Sequence, residues 1–235
     1  MRAFALLVST VLIGLVAPVP AAAAEPAAQS ALCAAAKSGT PAGIAAALAR
    51  GAKVNGYCEK GGSGSPLGNA MTVAKIDNMK ALIKAGANAV GSKENMPLGY
   101  VRNAASAKLL LKHGAKVNMV DKFDMTPLMH LTSSLGSNFD DFYKMTEQDT
   151  VDIAKVLIAH GANVMRAGKY GGTALMDAAF SCLPKLVSLL IDSGADVNAV
   201  SSWQTPLARL RNIKDMHPAE CGATEQVLLA HGAKA

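Results

Sequence analysis

The chain predicts an all-α solenoid of about six stacked helix-turn-helix repeats. Two recurring phrases carry that prediction. The first ends an apolar run in Gly-Ala, at Gly51-Ala52, Gly86-Ala87, Gly114-Ala115, Gly161-Ala162, Gly194-Ala195 and Gly232-Ala233. Its period of roughly 33 residues is that of an array whose units pack only on their neighbours. The second phrase precedes the Gly-Ala in five units, by 21 residues in the second and fifth: Ser65-Pro66-Leu67, Met96-Pro97-Leu98, Thr126-Pro127-Leu128, Thr173-Ala174-Leu175 and Thr205-Pro206-Leu207.

Each phrase has a physical role. A Thr or Ser hydroxyl caps a helix N-terminus, and Pro is accepted in the first turn. The following Leu begins an apolar stripe. Ala70, Ala178 and Ala179 fall where two helices must approach closely. A second helix then closes, and Gly supplies the left-handed backbone that stops it. Taken in order, the units fall at about residues 31–59, 60–92, 93–120, 121–167, 168–200 and 201–235. The first lacks the Thr-Pro-Leu phrase and is expected to cap the array. The third is short, with 18 residues from Met96 to Gly114. The fourth spans 35 from Thr126 to Gly161, and the sixth 27 from Thr205 to Gly232. Residues 133–150 and 212–221 are therefore expected to project as loops or short helices.

Residues 1–24 read as a secretory signal peptide. Arg2 is the basic start, an apolar run follows from Ala3 to Val16, and Ala21-Ala22-Ala23-Ala24 offers a small-residue cleavage site. An uncleaved anchor is the alternative, but the run is short against the ~20 residues of a membrane span. Residues 25–30 are expected as an unstructured linker and 31–235 as the repeat domain. The reading is a periplasmic, monomeric protein with no stable membrane insertion once the signal is removed. Loss of Arg2 lowers the net charge from +6 to +5. Acidic and basic residues are interspersed without a dense cationic run, which argues against nucleic acid as a partner.

The two phrases together resemble the ankyrin repeat. The likeness is strongest from Thr173 to Asn198, where Thr-Ala-Leu-Met-Asp-Ala-Ala is followed by Leu189-Leu190 and by Gly194-Ala195-Asp196-Val197-Asn198. Gly51-Ala52-Lys53-Val54-Asn55 and Gly114-Ala115-Lys116-Val117-Asn118 repeat that ending. The resemblance covers about residues 29–235 and implies helix pairs joined by short β-hairpin loops. It also implies a non-catalytic module that binds a partner protein through its concave helix and hairpin face. Exported proteins of this kind act as immunity factors against envelope-acting toxins, or stabilise resident enzymes, including antioxidant enzymes. Both roles are expectations from resemblance.

Aligned on the repeats, the four cysteines suggest two bridges, Cys33–Cys58 and Cys182–Cys221, each stapling one end of the array, as suits an oxidising compartment. Cys221 is expected in a helix-helix turn equivalent to that of Cys182. A metal held by Cys182, Cys221 and His217 is the alternative, although the spacing of a zinc site is missing. No cofactor or metal is otherwise expected.

Candidate chemistry is sparse, and no catalytic residue is assigned. His113, His160 and His231 each precede a helix-ending Gly, where a basic side chain reaches terminal carbonyls. Gly61-Gly62-Ser63-Gly64 lacks the strand-Ser-helix setting of a nucleophile elbow. Asp140, Asp141, Glu147 and Asp149 read as the solvated face of the fourth-unit insertion rather than a catalytic pair, which requires burial. A cell-wall enzyme is thus the weakest reading. Met71, Met79, Met129 and Met176 are expected as core filler.

The aromatics point to binding. Phe123, Tyr170 and Trp203 stand two or three residues before their Thr, so all three belong to hairpins along one edge, as does Tyr57. Aromatic residues are enriched among binding hot spots, although each could instead pack on a neighbouring loop. The expected partner surface comprises Phe123, Met129, His130, Tyr170, Asp177, Trp203 and Arg209. Phe139, Phe142 and Tyr143 of the insertion form a second patch or a cover on the flank.

Overall fold

The computed structural model describes residues 21–58, 64–133, 145–201, 204–214 and 218–234. Among them the chain forms six stacked helix pairs. They are α1 (Ala21–Lys37) with α2 (Pro41–Ala49), and α3 (Pro66–Thr72) with α4 (Ile76–Lys84). A 3₁₀ turn (Pro97–Tyr100) then pairs with α5 (Ala104–Lys112), and α6 (Pro127–Ser133) with α7 (Glu147–Ala159). The last pairs are α8 (Ala174–Phe180) with α9 (Pro184–Asp192), and α10 (Pro206–Lys214) with α11 (Pro218–Ala230). First helices stack on first helices and second on second, from α1 and α2 through to α10 and α11. Among the described residues the hairpins between units carry isolated bridges, Ala167 with Thr173 and Ser201 with Gln204.

The phrases do what their chemistry predicts. The hydroxyls of Ser65, Thr126, Thr173 and Thr205 accept from the backbone N–H three residues on, at 3.1–3.3 Å. Met96 has no hydroxyl to offer, and no side-chain cap forms there. With three residues fewer in that unit, its first helix contracts to the 3₁₀ turn. All six helix-ending glycines have φ between 81° and 96°. The Ala after each donates to a carbonyl five residues back, from Ala52 to Ala47 through to Ala233 to Leu228, which closes the helix by the Schellman pattern.

The core is one continuous strip between the two helix layers. Ala70, Ala178 and Ala179 are fully buried, so the helices approach without side-chain interference. Met71, Met79, Met129 and Met176 fill it as expected. At the N-terminal end, buried Asn78 donates to the carbonyls of Ala35, Ala36 and Gly39, tying the end of α1 and the turn after it to α4.

Three expectations need correction. Residues 25–30 are not an unstructured linker: they lie within α1, where Ala28 is buried and Gln29 accepts from the Lys53 backbone N–H. The fourth-unit insertion is shorter than 133–150, because Ser133 ends α6 and Thr146 caps α7 in a capping box with Asp149. Asp149 is therefore a helix-capping group, and Glu147 accepts from backbone N–H groups at the start of α9, rather than forming a solvated loop face. Residues 212–214 likewise belong to α10 and 218–221 to α11, which puts Cys221 in a helix instead of a turn.

Both expected disulfides are present, Cys33–Cys58 and Cys182–Cys221. With both sulfurs bonded to each other, Cys182 and Cys221 are not metal ligands. Cys182 holds φ 54°, a left-handed conformation shared at the same point of the second unit by Ala74 at 52°.

Candidate functional site

The face formed by the hairpins and first helices carries three successive concavities. The first, of about 460 Å³, lies between Tyr57, Met71, Pro97 and Tyr100. The second, of about 470 Å³, lies between Tyr100, Asp121, Phe123 and His130. The third, of about 300 Å³, is enclosed by Phe123, Met125, Met129, Tyr170, Asp177 and Arg209, among others. Tyr100 lines both the first and the second, and Phe123 both the second and the third, so they form one groove along the stack.

Hydrogen bonds between hairpins fix the walls. The Lys169 N–H donates to the Phe123 carbonyl at 2.9 Å, and the Ser201 hydroxyl to the Tyr170 carbonyl at 2.9 Å. Gly168 allows the close approach, since a Cβ there would stand 2.9 Å from the Met129 methyl. Held this way, Tyr170 is still 71% exposed and Phe123 42%. Large apolar rings thus face solvent on a backbone that is already ordered.

Two charged pairs sit in the groove. The Asp121 carboxylate meets the His130 Nε2 at 2.9 Å and accepts from the backbone N–H groups of Phe123 and Met125. Burial alone would raise its pKa. The two backbone donors and His130 outweigh that and hold it below the ordinary aspartate value. The His130 ring lies 5.3 Å from that of Tyr100. One concavity further on, Asp177 pairs with Arg209 at 3.2 Å. There burial dominates and raises the Asp177 pKa, although the guanidinium works against it. Arg209 also lies over the Phe180 ring at 5.3 Å.

Of the residues expected on the partner surface, Phe123, Met129, Tyr170, Asp177 and Arg209 all line the third concavity, and His130 the second. Met129, at 3% exposure, lies in the floor of the third concavity. Trp203, Phe139, Phe142, Tyr143, Asp140, Asp141 and His217 lie outside the described residues. Tyr100, Met125 and Lys169 were not singled out from the sequence. Tyr100 follows the atypical Met96-Pro97-Leu98 phrase, and the shortened unit turns it outward to 48% exposure instead of into a helix.

His160 and His231 behave as helix-end groups. The Nδ1 atoms of His160 and His231 donate to the carbonyls of Val156 and Val227, at 2.8 and 2.7 Å. Among the described residues no group of three His, Cys, Asp or Glu side chains could hold a metal ion. No described helix is long and apolar enough to cross a membrane.

Residues 100–201 match the family model for ankyrin repeats, in three copies. No curated protein matches the chain. Among solved structures it is similar to an ankyrin repeat domain from Acinetobacter baumannii, with 26% identity and a TM-score of 0.61, over 86% of this chain and 98% of that one. The capped helix pairs, their Gly-Ala closures and both likenesses agree: residues 100–201 carry ankyrin repeats, and the stack as a whole is similar in fold to an ankyrin repeat domain.

Proposed function

We propose that this protein binds a partner protein through the groove between its hairpins and first helices, in the periplasm, without catalysis. Ankyrin repeats are protein-protein interaction modules and typically non-enzymatic. One observation carries the choice of face: Phe123 and Tyr170 project from hairpins locked together by hydrogen bonds, beside an apolar floor and the Asp177–Arg209 pair. Rigid aromatic anchors bind at small ordering cost, because little freedom is left to lose.

The export reading rests on residues 1–24 and on the two disulfides, which suit an oxidising compartment. Cleavage after Ala24 would also leave Pro26 in the first turn of α1, where its missing N–H has no intrahelical partner to lose. Within this reading the protein serves as an immunity-type inhibitor of an envelope-acting toxin. The second reading is a scaffold for a resident periplasmic enzyme, such as an antioxidant enzyme. A neighbouring effector gene favours the first and a neighbouring catalase-like gene the second.

The test is capture from periplasmic extract by the purified protein and by a Phe123→Ala/Tyr170→Ala variant. The double variant should lose the captured protein while keeping its circular dichroism spectrum. Undiminished capture by a folded double variant would sink the assignment of this face.

A further inference from the structure

The charge around the groove is less balanced than its composition. Three carboxylates line the second and third concavities, and each is already engaged. Glu94 accepts from the Ser92 hydroxyl at 2.8 Å, Asp121 is held by His130 and two backbone N–H groups, and Asp177 by Arg209. The cations are not matched in the same way. Lys93, Lys122 and Lys169 also line these concavities, one on each of three successive hairpins, and among the described residues none forms an ion pair with a carboxylate. Lys122 lies over the Phe123 ring at 5.0 Å, beside the same apolar hollow. Exposed Asp124, at the turn of that hairpin, offsets only one of the three.

The floor makes a different demand. Met125, Met129 and Met176 line a hollow of about 300 Å³, walled by Phe123 and Tyr170. Thioether side chains adapt to an inserted group, and this surface suits one large apolar side chain.

We infer that the third concavity takes an acidic segment of the partner protein, with one aromatic or large aliphatic side chain seated on the methionine floor and Asp or Glu residues beside it meeting Lys122 and Lys169. This rests on the reading of the groove as the partner surface. A basic segment would face Lys122 and Lys169, neither of them in an ion pair among the described residues, and would have to compete with Arg209 for Asp177. The complementary sign instead steers encounter and fixes register.

The experiment selects a displayed library of random peptides, about a dozen residues long, on the full chain with both disulfides formed. Selected peptides are then synthesised and titrated by fluorescence anisotropy. The expected consensus is an aromatic, Leu or Met flanked by Asp and Glu. Lys122→Glu/Lys169→Glu should weaken such a peptide by about tenfold or more, while Lys122→Arg/Lys169→Arg keeps it. Added salt should weaken it as well. A neutral or basic consensus that is still lost with Tyr170→Ala overturns the charge assignment and leaves the groove as the binding face. Peptides indifferent to both Phe123→Ala and Tyr170→Ala overturn both readings. So does an absence of enrichment over the doubly substituted chain. Circular dichroism of each variant separates lost binding from lost fold.

Discussion

The Asn118 side chain joins two repeats by gripping both sides of the Gly161 turn. Its Nδ2 donates to the Gly161 carbonyl at 2.8 Å, and its Oδ1 accepts from the Asn163 N–H at 2.8 Å. Asn55 does the same to Gly86 and Asn88, and Asn198 to Gly232 and Lys234. These residues stand four after a helix-ending Gly. The other two junctions carry Val90 and Met165 at that point, which offer no such pair of polar atoms. Asn118→Ala should therefore destabilise the chain by about 1 kcal/mol, the net value of exposed hydrogen bonds. Urea unfolding would read this as a lower midpoint with an unchanged slope. Asn118→Asp keeps the acceptor, loses the donor, and should fall between the two.

The two groove aspartates should respond to acid in opposite directions. Asp121 has its pKa depressed in the folded state, since hydrogen bonds outweigh burial. Its stabilisation is therefore present above the unfolded value and is lost as pH falls through the depressed one. Asp177 has its pKa raised, chiefly by burial against the opposing pull of Arg209. Its contribution turns favourable as pH falls through the raised value and is complete below the unfolded one. Melting temperatures from neutral pH to about pH 3 should separate them. Asp121→Asn should lower stability at neutral pH, and Asp177→Asn should preserve or raise it. The same loss in both variants would show that the environments do not differ as described.

The disulfides staple the two ends of the stack, where each terminal repeat has a neighbour on one side only. Cys33–Cys58 closes a separation of 25 residues and Cys182–Cys221 one of 39. Chain-entropy arguments give about 2–4 kcal/mol for each. Thiol titration of the unreduced protein should find no free thiol, and reduction in denaturant should release all four. Cys33→Ser/Cys58→Ser should speed hydrogen exchange in α1 and α2 before it affects α8 and α9. Uniform acceleration along the stack would mean that the end repeat does not open independently.

The phrases made the scaffold legible because each is a local device. Thr173 caps with its own hydroxyl, and Gly194 needs its left-handed turn whatever surrounds it. The bridges were legible once the repeats were aligned, since stacking turns distant positions into neighbours. Part of the groove was readable for the same reason: Phe123 and Tyr170 share a register before their Thr residues. Tyr100 was not, because its exposure follows from the contraction of one helix to a 3₁₀ turn. The pairing of Asp121 with His130 was also hidden, since it joins a hairpin to a helix across a turn that pattern alone does not close. Pattern likewise misplaced Glu147, whose partner lies 38 residues away in the next repeat.

That contact yields a further prediction. Helix α9 starts after Leu183, which has no side chain able to cap it. Its first turn is instead served from the preceding repeat, where the Glu147 carboxylate accepts from the Lys185 N–H at 2.7 Å and the Leu186 N–H at 3.4 Å. An anionic group there satisfies open donors and also complements the positive end of the helix dipole. Glu147→Ala should cost about 1–2 kcal/mol, in the range for loss of an N-terminal cap. Glu147→Gln keeps a neutral acceptor and should recover part of that. Because the cap spans two repeats, hydrogen exchange should rise at the start of α9 although the substitution is in α7. A change confined to α7 would show that Glu147 serves only its own helix.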